Sequence, residues 1–326
     1  MNTKQSLLSV CVLATLFACN NESEQLSTNK TDDGVITINS TVGSMTKTRA
    51  TGDRTALQDN GFQDNTQINV YLSVNGGTGT NPYPQPLTYA YVSTSTPNMT
   101  LTGTYASNQY YFPNDGKGVD AYAIYPTTDF TSGITIAADQ SSDENYKSND
   151  WMFGTNNPTK SASFTGTKKS DGTIPLTFKH IMSKIVVKLQ NGNGVNAADL
   201  NSASTKMFRA LPNTTLNDLS VDGYTLGAAS GTAPTGGYEF GTYNSTNGNS
   251  IIIVPQTITA DSSNPLFQVT IGSGTYSYYL STSKNFEGGN SYIYTFNLSS
   301  SGLEVSTVEV KDWNQNTITT ENITLD

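Results

Sequence analysis

The chain has 326 residues and a formal net charge of −9, and that acidity argues against nucleic acid as a partner, because phosphate backbones repel it. The length suggests about two domains. Charge is scarce, while Thr, Ser, Asn, Gly and Tyr are abundant, which suits many short strands with polar outer faces rather than helical bundles.

Residues 1–18 read as a secretory signal peptide, with Lys4 in a short basic start and an apolar core from Leu7 to Phe17. No later apolar run approaches the roughly 20 residues of a membrane span. Cys11 lies inside this leader, so a structural disulfide with Cys19 is not expected in the mature protein. The leader ends Leu16-Phe17-Ala18-Cys19. This resembles the bacterial lipobox, in which a small residue precedes a cysteine that receives lipid; Phe17 departs from the usual small residue there. The bland alternative is a secreted protein with a spare cysteine. Acyl chains on Cys19 would hold the protein at a membrane with about 0.8 kcal/mol per buried CH₂. Residues 19–33 are then a flexible polar tether. Glu22 and Glu24 in it resemble a surface-export signal of Bacteroidetes lipoproteins.

Gly34–Ser44 reads GVITINSTVGS, with Ile36, Ile38 and Val42 on one parity, and predicts a half-buried strand. The polar segment behind it carries Lys47, Arg49 and Arg54. On residue chemistry alone it reads as a solvated loop; the sharper reading is a site for a trypsin-like protease. Gln67–Val74 alternates strictly. Leu87–Val92, Asn98–Tyr105, Val119–Pro126 and Met152–Gly154 predict further strands, and Asp139–Trp151 a polar loop. The densest apolar run is Leu176–Leu189. It reads as one central strand with a bulge at Ile181-Met182-Ser183 that shifts the phase. Asn191-Gly192 then predicts a turn, and the division between a first domain (34–192) and a second (193–326) is expected there. Asn196–Lys206 suits a short helical turn. Leu216–Val221, Tyr238–Phe240, Ser250–Val254, Leu266–Ile271, Thr275–Leu280, Tyr292–Leu298 and Leu303–Val310 predict strands of an all-β second half.

One succession carries a resemblance. It runs Phe62, Ile68-Asn69-Val70, Tyr110-Tyr111-Phe112-Pro113, Asp120 to Pro126, Asp139-Gln140-Ser141, Asp150-Trp151-Met152, then Phe178-Lys179-His180 before Ile185-Val186-Val187. Behind a lipobox, this order resembles the fimbrillin family, the subunits and accessory proteins of type V pili in Bacteroidetes. The resemblance implies two tandem transthyretin-like β-sandwiches and an outer-membrane or cell-surface location in a pilus. It implies cleavage after Arg49, with Arg54 as the alternative, and loss of the first strand with Ile36, Ile38 and Val42. Other pilus subunits would be partners, filling the gap by strand addition, with a receptor on a host or bacterial surface as a further partner. The candidate donor strand is the C-terminal segment with Ile318, Ile323 and Leu325, although Ile318 and Ile323 differ in parity.

No catalytic constellation stands out, and neither an enzyme nor a cofactor is expected. His180 shares a strand face with Leu176 and Phe178 and reads as an interior histidine. A His/Cys metal site is unsupported. Asp139, Asp143, Glu144 and Asp150 fit no EF-hand spacing and read as solvated. The alternative function is a non-polymerising surface lipoprotein that binds glycans through Trp151 and exposed tyrosines among Tyr89, Tyr91, Tyr110, Tyr111, Tyr278 and Tyr279.

Overall fold

A computed structural model describes residues 34–43, 61–92 and 98–314, and the backbone of 318–321. Strands dominate these residues, as expected.

The first sheet collects strands from the N-terminal part of the chain. They are β1 (Thr37–Val42), β2 (Gln67–Val74), β3 (Leu87–Val92), β4 (Asn98–Leu101), β5 (Val119–Tyr125), β7 (Met152–Thr155) and β8 (Thr173–His180); β6 (Ile134–Thr135) pairs elsewhere. Their order is β1-β4-β3-β2-β5-β7-β8, and the sheet closes into a barrel because β1 pairs on both sides. Where the sequence suggested a sandwich, ring closure leaves no free edge in this sheet. Alternation decides which side chains fill the barrel. Ile68, Val70 and Leu72 of β2 point in with Leu87, Tyr89 and Tyr91 of β3, and with Ile174, Leu176 and Phe178 of β8.

Phe178 sits at the centre. Phe62 meets its ring edge-on at 5.0 Å, and Gly154 of β7 lies directly opposite it. A Cβ at Gly154 would lie 2.6 Å from the ring. Gly154→Ala should therefore force Phe178 off its site and cost about 1–3 kcal/mol. Thermal denaturation would read this as a lowered midpoint, and an unchanged midpoint would show that the ring has room to move.

The expected bulge in Leu176–Leu189 is instead a crossing between sheets. β8 ends at His180, and β9 (Ser183–Asn191) belongs to a second sheet. Ile181 and Met182, between them, are buried in the second core. A bulge and a crossing shift the side-chain phase alike, so the pattern alone does not separate them. β9 buries side chains on both faces from Ser183 to Val187.

The remaining elements are α2 (Ala197–Leu200), β10 (Ser204–Met207), β11 (Asn213–Thr214), β12 (Leu216–Ser220), β13 (Gly223–Leu226), β14 (Tyr238–Glu239), β15 (Asn249–Ile253), β16 (Gln256–Ile258), β17 (Phe267–Ile271), β18 (Gly274–Tyr278), β19 (Lys284–Phe286), β20 (Asn290–Ser299), β21 (Gly302–Asp312) and β22 (Ile318–Glu321). A five-stranded sheet runs β15-β9-β20-β21-β22, and a four-stranded sheet runs β14-β10-β17-β18. Their side chains meet: Phe267 of β17 lies 5.0 Å from the Tyr294 ring and 5.5 Å from the Phe296 ring, both on β20. The second core also recruits Ile134, Tyr146, Trp151 and Phe153 from earlier in the chain.

Asp139–Trp151 is not an open loop. It holds a short helix, α1 (Asp143–Ser148), capped by the Ser142 hydroxyl, which accepts from the Asn145 N–H at 3.1 Å. Asp143 and Glu144 occupy its first turn, where the positive helix end favours them. Burial of Tyr146 in the second core anchors this helix from within.

Candidate assembly site

The residues expected to leave with the first strand complete the barrel. Ile36, Ile38 and Val42 are all buried in its core, Ile38 with 1% of its surface exposed. β1 runs parallel to β8, with Thr37–Val42 opposite Thr173–Phe178. On its other side it runs antiparallel to β4, with Ile38 opposite Met99. The pairing continues at both ends. The Ile36 N–H donates to the Tyr110 carbonyl at 2.7 Å, the Phe112 N–H to the Gly34 carbonyl at 2.8 Å, and the Gly43 N–H to the Phe178 carbonyl at 2.9 Å.

Ser40 is the inward position that the apolar pattern did not mark. It is buried, and its hydroxyl has no hydrogen-bond partner among the described residues. Such a group costs about 1–3 kcal/mol of desolvation. β1 thus fills its slot with one poorly suited side chain.

The slot ends against the second sheet. Gly43 has φ +55°, and a side chain there would collide with the Asn314 backbone carbonyl. Asn314 Oδ1 in turn accepts the His180 N–H at 2.8 Å. His180 is interior, as expected, and its Nδ1 lies 2.7 Å from Asp150 Oδ1. Asp150, which the sequence suggested was solvated, is fully buried with it. The Trp313 indole stacks on the imidazole, with centroids 3.7 Å apart and planes 4° apart. The Lys184 ammonium lies 5.0 Å above the indole. These residues pin the end of β8 to the end of β21. Sequence reasoning met His180, Asp150 and Trp313 separately; the rule that a buried imidazole needs a polar partner is the only signal that could have linked two of them.

At the other end of the chain, β22 pairs antiparallel to β21, with Lys311 opposite Ile318 and Val308 opposite Glu321. It is an edge strand. Ile318 therefore lies in a paired strand. Ile323 and Leu325 lie outside the described residues, as do Cys19, Arg49 and Arg54.

The residues proposed to bind glycans do not form a surface platform. Trp151 is buried in the second core with the Phe130 ring edge-on at 6.3 Å. Tyr89 and Tyr91 face into the barrel, where burial pushes the Tyr89 hydroxyl up to about 12. Tyr110 and Tyr278 are half-buried. Of the set, Tyr111 and Tyr279 are exposed.

The fold is similar to that of a candidate cell adhesion protein from Bacteroides uniformis, with a TM-score of 0.59 and 21% identity over 86% of this chain and 98% of that one. It is also similar to a second such protein, from Bacteroides ovatus, with a TM-score of 0.58 and 17% identity over 86% of this chain and 97% of that one. A fimbrial assembly protein from Parabacteroides distasonis matches with a TM-score of 0.42 and 12% identity, over 89% and 99% of the two chains. A search of the curated proteins finds no match. The sequence model of the fimbrillin-like family matches residues 48–313, which begins behind β1 and stops ahead of β22. With a match over most of its length, this chain belongs to the fimbrillin-like family.

Proposed function

We propose that this protein is a structural, non-enzymatic component of a surface pilus, exported as a lipoprotein, cut behind its first strand and assembled by strand exchange. Family membership supports the pilus- or adhesion-related role and the cell-surface setting. The observation that carries the finer reading is the position of β1. It is the first described strand, it is bonded on both sides, and its side chains complete a core. A basic segment with Arg49 and Arg54 follows it directly.

In this reading, lipid on Cys19 delivers the precursor to the outer membrane. A trypsin-like protease cuts after Arg49, or after Arg54. β1 then departs with the leader and opens a slot between β4 and β8. A strand from another subunit fills it by β-augmentation. Because β8 offers parallel pairing over six positions, the donor must run in the direction that β1 runs. The orphaned Ser40 hydroxyl supports exchange, since a donor with a small apolar residue at that depth removes its cost. The tail with Ile318, Ile323 and Leu325 is the candidate donor, and it would have to leave the β21 edge to serve. We assign the two cores to two tandem transthyretin-like units, residues 34–192 and 193–326, with strands and loops of the first unit also contributing to the second core. A receptor on a host or bacterial surface would be a further partner.

The test is the N-terminal sequence and intact mass of the protein taken from the native cell surface. A start at Ala50 or Thr55 is expected. A start at a lipidated Cys19 in assembled material would overturn the reading.

A further inference from the structure

A pocket of about 340 Å³ opens on the outer face of the barrel. It lies at the lower end of the roughly 300–1,000 Å³ usual for small-molecule sites. Its floor is the β7–β8 pair, where Phe153 lies opposite Lys179 and Thr155 opposite Thr177. Inward residues of β8 fill the barrel, so Thr177 and Lys179 necessarily face the pocket. Its roof is the tip of the β12–β13 hairpin, which is fastened down. The Thr155 hydroxyl donates to the Val221 carbonyl at 2.5 Å, and Asn157 Nδ2 donates to Asp222 Oδ1 at 2.8 Å.

The lining divides by chemistry. Phe153 and Tyr224, with rings 5.1 Å apart and tilted by 52°, make an apolar aromatic wall. Lys160 and Lys179 stand exposed at the rim, and neither ammonium has an ion-pair or hydrogen-bond partner among the described residues. Lys160 is held at φ +53°, a left-handed conformation uncommon for lysine. Asn157 fixes that turn, because its Oδ1 accepts the Ser161 N–H at 2.9 Å. Asp222 and Thr177 add oxygen atoms within the same pocket.

We propose that this pocket binds an acidic sugar, a uronic or sialic acid unit carried free or at a glycan end. The two lysines would meet the carboxylate, the aromatic wall the apolar face of the ring, and Asp222 and Thr177 its hydroxyls. Two cations against one carboxylate make the lining net positive in a chain of net charge −9. A neutral sugar would leave both ammonium groups unused, and an apolar ligand would leave the polar side of the lining unused as well. The proposal goes beyond the assembly reading and does not depend on it, because the pocket exists within one chain.

The experiment is saturation-transfer NMR and calorimetry on the full chain. The probes are galacturonic acid and N-acetylneuraminic acid, with galactose as the neutral control, followed by an array of glycans ending in the acid that binds. Saturable binding to at least one acid and at least about tenfold weaker binding to galactose are expected. The double variant Lys160→Gln/Lys179→Gln should lose the acid preference while keeping the thermal midpoint, since both side chains are exposed. Lys117→Gln, at a surface pair with Asp115 outside the pocket lining, should change nothing. Array binding separates a glycan terminus from a free monosaccharide as the source. Failure of both acids to bind, equal binding of galactose, or acid binding unchanged in the double variant would each overturn the proposal.

Discussion

Replacing Arg49 and Arg54 together with Ala should leave a longer chain, still lipid-tethered, that does not polymerise. The reason is competition within the slot. While the segment after Val42 is intact, β1 is part of the same chain as its slot, and a tethered partner acts at an effective concentration of about millimolar or more. A donor from another subunit must displace it against that advantage. It must also break pairing to β8 over six positions and to β4 on the other side. Cutting the chain lets the freed strand diffuse away and removes the advantage. The readout is the heat-sensitive ladder that a strand-exchanged polymer gives on a denaturing gel. Wild-type protein should show it, and the double variant should run as a single long species. Normal fibres from the double variant would refute cleavage-gated assembly.

A chain that begins at Ala50 should be much less stable than one that keeps β1, and a peptide spanning Gly34–Gly43 should restore it in trans. Burial of Ile36, Ile38 and Val42 contributes about 5–9 kcal/mol together. That is comparable to the whole stability of a typical domain. The vacated slot also leaves backbone groups of β4 and β8 without partners. A ligand that binds only the folded form adds about 2.7 kcal/mol at a hundredfold excess over its Kd, so the thermal midpoint should climb with peptide concentration. A peptide with Ile38→Asp should fail, because it would bury a charge where 1% of the isoleucine is exposed. A peptide with Ser40→Ala should bind about fivefold more tightly, since it removes the one orphaned hydroxyl in the strand. Truncated protein as stable as the full chain would show that β1 is not a structural plug, and equal rescue by the Asp peptide would show that the slot does not read side chains.

The two predictions rest on features of different legibility. Strict alternation made β2 and β3 readable to the residue, and it marked Ile36, Ile38 and Val42 as the buried face of the first strand. The partners of that strand were not readable. Parallel pairing to β8 joins residues about 136 positions apart, and nothing in either segment names the other. Ser40 was passed over because its burial follows from strand parity while its polarity argues the opposite. The short strands β6, β11, β13, β16 and β19 were missed because two to four residues hold too little alternation to stand out. Helix α1 was missed because its sequence is polar; it persists through a serine cap and the burial of Tyr146.

By itself, then, the sequence determined that this is an acidic all-β chain, which segments alternate, and that its motifs resemble the fimbrillin family. Those properties are local, written in a period of two and in short runs of residues. Tertiary structure alone decided that the run Leu176–Leu189 passes between two cores, that Asp150, His180 and Trp313 meet in one buried junction, and that Lys160, Lys179 and Asp222 share a pocket with Phe153 and Tyr224. Each joins side chains from separate strands or loops, and which segments pair depends on the closure of whole sheets rather than on any one stretch of chain.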